Sequence, residues 1–157
     1  MQKFFFEDDG FIPNSRFPVI LNRKAISFRD MNVEEAEAML KERALKTGWH
    51  WDWGWIVYKR PHYHSEVHEA LVVFSGTATL RIGGHRVGRL VEASQGDTIV
   101  IPAGVAHQAL ERSKDFWVFG HYPIGAPKYD MKYCRKWERQ ISLPNIAKLG
   151  DPPAFNL

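Results

Sequence analysis

Residues 62–76 read HYHSEVHEALVVFSG, and this stretch narrows the possible folds more than any other part of the chain. His62 and His64 are two apart, Glu69 follows shortly after, and an apolar, β-branched run (Leu71, Val72, Val73, Phe74) continues to Gly76. On a β-strand alternate residues share a face, so the two imidazoles would stand side by side, an arrangement that suits a divalent metal. On a helix they would diverge by about 200°. The spacing therefore predicts a metal site on a strand. His64 and His68 also lie four apart, as in a helical zinc site, but Pro61 before them and the β-branched run after them argue against a helix, and HExxH is absent. From Gly96 a second stretch, GDTIVIPAGVAH, gives a turn, a short apolar strand, the punctuating pair Pro102 and Gly104, and a third imidazole at His107.

The rest of the chain is read around these two segments. With 157 residues, 45% of them apolar, the sequence suffices for one well-packed core, and a single domain over residues 1–157 is expected. Residues 1–29 suggest edge strands joined by turns, carried by Phe4–Phe6 and by Val19, Ile20 and Leu21. Asn32 followed by Glu35 is a capping box, and Ala36, Met39, Leu40 and Ala44 recur at helical spacing, which predicts an amphipathic helix over about 33–47, stopped by Gly48. Next, Trp49, Trp51, Trp53 and Trp55 alternate, so a strand would set four indoles on one face, as core, dimer interface or ligand wall. Strand and glycine turn then repeat through Gly83 and Gly84 to His107, and the last clear strand is 116–123. Many short strands without intervening helices predict a small antiparallel barrel or jelly roll. Beyond Pro123, Tyr129, Tyr133, Trp137 and Ile141 fall four apart and predict a short helix packing its rings on the barrel.

Composition excludes several functions. The formal charge of +3 is on the scale of solubility, and Asp130 and Glu138 interrupt the basic residues of the C-terminal segment, so no nucleic-acid partner is expected. No apolar run approaches 18 residues, the first residues do not form a signal peptide, and Cys134 is the single cysteine. A soluble, cytoplasmic protein with no membrane partner is expected.

The two histidine segments resemble the two motifs of the cupin superfamily. The first motif is met by His62, His64, Glu69 and Gly76, and the second by Gly96, Pro102, Gly104 and His107. More narrowly, Glu7–Gly10, Pro13 with Asn14, Gly48 with Trp49, His62–Ser65, His68 with Glu69, Gly83 with Gly84, Tyr122 with Pro123 and Tyr129 with Asp130 resemble a bacterial group of small single-domain metal-binding cupins. The resemblance implies a mainly β double-stranded β-helix, or jelly-roll barrel, with one or two peripheral helices. Its core would span about 49–123, with strands and a helix over 1–48 before it and an extension over 124–157. It also implies His62, His64, Glu69 and His107 as ligands of one divalent transition metal (Fe, Mn, Ni, Co or Zn). Two departures stand out: Glu111 occupies a position where the second motif often has Asn, and His121 precedes Tyr122 and Pro123 where the group usually has a small residue.

His68 and Glu69 are neighbours, so only one can point inward from a regular strand. Glu69 takes the inward place because its face continues through Leu71 and Val73, leaving His68 at the rim or behind the ligands, or as a ligand if a bulge intervenes. His121 and His68 are the candidate pocket acids or bases. The expected function is that of a metal-dependent enzyme acting on a small organic molecule inside the barrel, an oxygenase by preference, with isomerase or lyase chemistry as the alternative. The other class is a non-catalytic small-molecule binding or sensing module, and a homodimer is expected in either case.

Overall fold

Alternating apolar residues between turns give nine strands and two helices in the computed structural model, which describes residues 1–157. In chain order these are β1 (Gln2–Phe6), β2 (Ser15–Asn22), α1 (Val33–Lys46), β3 (Trp49–Trp55), β4 (Glu69–Ser75), β5 (Thr77–Ile82), β6 (Arg89–Ser94), β7 (Thr98–Ile101), β8 (His107–Arg112), β9 (Trp117–Pro123) and α2 (Lys136–Lys148). The strands form two sheets, one ordered β1-β2-β7-β4-β9-β3 and one ordered β6-β5-β8, with every pairing antiparallel. This is the expected mainly β jelly roll with two peripheral helices.

Strand β4 explains how the layers are held. It lies between β7 and β9, with Leu71 opposite Ile99 and Gly120, and Val73 opposite Val118. Leu71 and Val73 point between the sheets and meet Ala78, Leu80 and Ile82 of β5 and Val91 and Ala93 of β6. Ala70, Val72 and Phe74 point the other way, against Ala36, Leu40 and Ala44 of α1 and against Phe155. A strand covered on both faces reads as a continuous apolar run, which is why ALVVF does not alternate. Each large side chain fully buried here contributes about 1.5–3 kcal/mol, against the entropy cost of ordering it. Helix α1 forms as its sequence predicts: the Asn32 side chain accepts from the Glu35 amide, the Glu35 carboxylate accepts from the Asn32 amide, and Ala36, Leu40 and Ala44 form the buried stripe.

Tertiary pairing overrides the sequence expectation elsewhere. Strand β2 is not an edge, because it pairs with β1 on one side and β7 on the other. The four indoles do not share a face. A register shift between Trp51 and Trp53 pairs Trp51 with His121 but Trp53 with Gly120. A bulge of this kind reverses the face of every residue after it. Trp49 and Trp51 therefore pack beneath α1, while Trp53 turns inward against the inter-sheet core. The segment holding His62 and His64 is extended but joins no regular ladder; it is fixed by isolated bridges of His62 to His107 and Tyr63 to Lys132.

The C-terminal ring stripe is also not helical throughout. Pairing with Tyr63 holds the chain around Lys132 extended, and α2 starts only at Lys136. The Glu138 carboxylate accepts from the amides of Tyr133 and Arg135, which satisfies amides at the helix start and draws Glu138 inside. Trp137 and Ile141 are consequently turned to solvent, 57% and 52% exposed, instead of packing on the barrel. No helix is long and apolar enough to cross a membrane.

Candidate metal centre

His62 and His107 are locked together by two reciprocal backbone hydrogen bonds, His62 N–H to His107 O at 3.2 Å and His107 N–H to His62 O at 2.8 Å. Their rings lie 4.2 Å apart, centre to centre, with His64 5.6–5.7 Å from both. One nitrogen from each of the three buried imidazoles lies within 4.8 Å of the others. In each ring Nδ1 is held by a main-chain carbonyl, that of Arg60 for His62, Asp130 for His64 and Val105 for His107. A carbonyl only accepts, so Nδ1 carries the proton and the Nε2 lone pair is left free to bind a metal. Glu69, the first residue of β4, brings Oε2 to 3.1 Å from His107 Nε2 and 3.6 Å from His64 Nε2.

Two buried atoms at this point, His64 Nε2 and Glu69 Oε2, have no hydrogen-bond partner. Such orphans are costly unless something polar satisfies them, and a cation between them would do so. Burial, reinforced by the neighbouring His107 and His64, holds His62 down at about 3, so its ring is neutral across the physiological range. Burial by itself would raise the Glu69 carboxyl, but the His64 and His107 imidazoles beside it hold it well below the usual carboxylate range. Burial likewise opposes a charge on His64, and the Glu69 carboxylate outweighs it and raises that ring. Three imidazoles whose Nδ1 atoms are tethered to carbonyls, set beside one carboxylate, form a donor set that fits a divalent transition metal.

The residues that fix this set come from far along the chain. Tyr122 on β9 donates its hydroxyl to Glu69 Oε1 at 2.9 Å, and the Trp53 indole N–H donates to the Tyr122 oxygen at 3.1 Å. The indole can lie so close because residue 120 is glycine: a Cβ there would fall 2.1 Å from Trp53 Cε2. Burial, then the Glu69 charge, raises the Tyr122 phenol, so it stays a neutral donor. Tyr122→Phe should leave Glu69 Oε1 without its donor and weaken divalent-ion affinity about 10- to 100-fold. Competition against a chromophoric chelator measures this, and affinity unchanged from the parent protein would remove Tyr122 from the site's design.

Asp130 is the second anchor. Its carbonyl accepts from His64 Nδ1, and its carboxylate accepts from the Ser65 amide and hydroxyl and the Glu66 amide, so it ties down the turn after His64. Burial works against its ionisation, but the Ser65 hydroxyl and the two amides prevail and hold the carboxyl below its ordinary 3.8. A depressed carboxyl binds its proton less well in the folded than in the unfolded chain. Its stabilisation is therefore complete above pH 3.8 and is lost as the pH falls through the lower folded value. Asp130→Asn is expected to flatten that acid limb in a plot of Tm against pH, whereas an unaltered limb would mean that other carboxyls carry it.

The two other candidate histidines lie outside the cavity. His68 points away from Glu69: its Nδ1 accepts from the Ala103 amide, its Nε2 bonds the Gly150 carbonyl, and its ring meets the edge of Phe17. Burial lowers it, and its role is to hold the segment before Gly104. His121 lies on the opposite face of the large sheet from the three imidazoles, against Phe155 and the backbone of Ala70 and Phe119. It makes no hydrogen bond of good geometry, and burial lowers it to about 4. Both are structural in this arrangement, and neither faces the cavity as an acid or base.

The cavity itself has a volume of about 320 Å³ and is lined by the three imidazoles and Glu69. Trp53, Trp55, Tyr58, Tyr122, Tyr129 and Met131 form much of its wall, and Ile56, Val57 and Leu71 line it as well. Of these, only Trp53 and Trp55 were raised from sequence as possible ligand wall. Tyr122 appeared in the sequence only beside Pro123, Tyr129 as part of a ring stripe expected to be helical, and Asp130 as an interruption of the basic C-terminal segment, so none of them was marked for the site.

A two-sheet antiparallel barrel with three clustered, buried imidazoles beside a carboxylate defines a class, and the comparisons agree: the chain belongs to the cupin superfamily. A family model described as Cupin domain matches residues 56–115. The uncharacterised protein YjlB of Bacillus subtilis (strain 168) is 37% identical over 153 residues, covering 96% of this chain and 86% of that one. Among solved structures, the formate complex of Lactobacillus farciminis oxalate decarboxylase aligns with a TM-score of 0.38 and 18% identity over 59% of this chain. The 11S globulin from Wrightia tinctoria aligns with a TM-score of 0.39 and 16% identity over 54% of it. This chain spans only 30% and 21% of the lengths of those two, and neither alignment bears on function.

Proposed function

We propose that this protein is a metal-dependent enzyme that acts on a small organic molecule in the barrel, with His62, His64, Glu69 and His107 holding one divalent ion of the Fe, Mn, Ni, Co or Zn type. The observation that carries the reading is the tethering of all three Nδ1 atoms to carbonyls, which leaves three Nε2 lone pairs free beside an orphaned carboxylate oxygen. When bound there, the ion supplies Lewis acidity and, in the case of iron, redox chemistry with dioxygen. The protein's own part is to fix the ligands through Tyr122 and Asp130, to exclude water with the aromatic wall and to orient the organic molecule.

Oxygenase chemistry is preferred over isomerase or lyase chemistry for a physical reason. Proton abstraction needs a base within reach of the substrate. Beyond the proposed ligands, however, the wall offers phenols and apolar groups, with no carboxylate, lysine or further imidazole. A second reading, a non-catalytic small-molecule binding or sensing module, draws on the same apolar wall. Elemental analysis of protein purified without a histidine tag, followed by oxygen uptake across a panel of small organic acids, enols and phenols, separates the two. Stoichiometric iron with substrate-dependent uptake supports the enzyme, and saturable binding without turnover supports the module. The reading takes residues 1–157 as one functional unit and includes a cytoplasmic homodimer. Exposed Phe5, Leu90 and Ile141 offer apolar surface for a second copy, and sedimentation of the purified chain tests that.

A further inference from the structure

We infer that the cavity takes a singly ionised oxygen chelator carrying a flat aromatic body of about two rings. The inference rests on the metal reading above and adds the substrate class. Charge comes first. A divalent ion held by neutral imidazoles and the Glu69 carboxylate keeps one net positive charge, which a monoanion neutralises. A doubly ionised ligand would bury an excess negative charge, and no lysine or arginine lines the wall to meet it. The cations flanking the site are engaged elsewhere: Lys132 pairs with Asp130 at 3.5 Å, and the Arg60 guanidinium sits over the Tyr133 ring at 3.8 Å.

Shape follows from the walls. Tyr122 and Tyr129 stack nearly parallel, 5.1 Å apart at 22°, and Tyr129 meets the edge of His64, so the phenol pair lies directly beside the imidazoles. Trp55 and Tyr58 meet edge to face at the mouth and are 53% and 42% exposed, large ring surfaces left open to solvent along the route inward. Rings stack or meet edge on with a planar partner, so such a lining favours an aromatic body over a flexible polar one. The volume of about 320 Å³ is about twice the ~150 Å³ apolar cavity that accepts one benzene, which sets the size at about two rings.

Three probes divide the claim into parts: 2-naphthohydroxamate, a monoanionic chelator with a two-ring body; acetohydroxamate, with the same head and no body; and oxalate, a dianion with no body. The protein is first titrated with zinc, and the probes are then titrated calorimetrically into the zinc-loaded protein. The expected result is one equivalent of 2-naphthohydroxamate bound about 100-fold more tightly than acetohydroxamate, and oxalate bound more weakly than the naphthyl compound. Trp55→Ala, at an exposed position where the fold is not at stake, should lower affinity for 2-naphthohydroxamate about tenfold and leave acetohydroxamate unaffected. Failure to take up zinc overturns the metal reading and this inference with it. Zinc uptake with a naphthyl preference below about threefold, or with oxalate the tightest probe, overturns this inference and leaves the metal reading intact.

Discussion

His107→Ala is expected to abolish the stabilisation that a divalent ion gives this protein. An ion present at about 1,000 times its Kd and bound only to the folded chain adds about 4 kcal/mol. For a chain of this size that raises Tm by about 8–16 °C. Removing His107 takes away one of the three convergent nitrogens and also the ring that stands 3.1 Å from Glu69. Calorimetric melts with and without chelator should therefore coincide for the variant and separate widely for the parent protein. The same melts rank the two neighbours at the start of β4. Glu69→Gln should weaken ion binding far more than His68→Gln, because Glu69 faces the imidazoles while His68 faces the Ala103 amide and the Gly150 carbonyl. The opposite order would remove Glu69 from the ligand set.

Gly104→Ala is the second large effect, and it acts on the frame rather than on a ligand. Gly104 has φ of +90°, where L side chains are strained, and a Cβ there would sit 2.3 Å from the Asn14 carbonyl oxygen. That neighbour is backbone and cannot rotate away. The Gly104 amide also donates to the His64 carbonyl at 2.7 Å, so a shift of this turn moves a proposed ligand. Strain and steric displacement together should cost about 2–4 kcal/mol of folding stability. Urea unfolding of the metal-free chain measures that loss, and ion affinity should fall with it. A variant as stable as the parent would mean that the turn relaxes freely and that this motif glycine has another purpose.

The jelly roll was legible because its signal is local. Strand periodicity, glycine turns and the Asn32–Glu35 box each specify conformation within a few residues, and the structure follows them at α1 and from β4 to β9. The juxtaposition of His62 with His64 was legible for the same reason, although isolated bridges rather than a regular strand provide it. The choice between His68 and Glu69 rested on the face that Glu69 shares with Leu71 and Val73, and the structure turns that face inward. Tyr122 and Asp130 had no such signal. They reach Glu69 and Ser65 across 53 and 65 residues, so nothing near either of them in sequence reports the bond.

The sequence by itself determined a mainly β barrel, one amphipathic helix and a cluster of histidines at spacings suited to a metal. Tertiary structure decided which face each ring takes. Four alternating tryptophans promised one aromatic face, but a single bulge, stabilised by pairing with β9, sent Trp49 and Trp51 under α1 and Trp53 to the cavity. Four aromatic and apolar residues spaced like a helix stayed partly extended because Lys132 pairs with Tyr63, which leaves Tyr129 free to stack on Tyr122. A periodic pattern fixes the conformation that its own residues prefer. A bulge, a bridge or a buried hydrogen bond draws its free energy from partners brought near only by the fold.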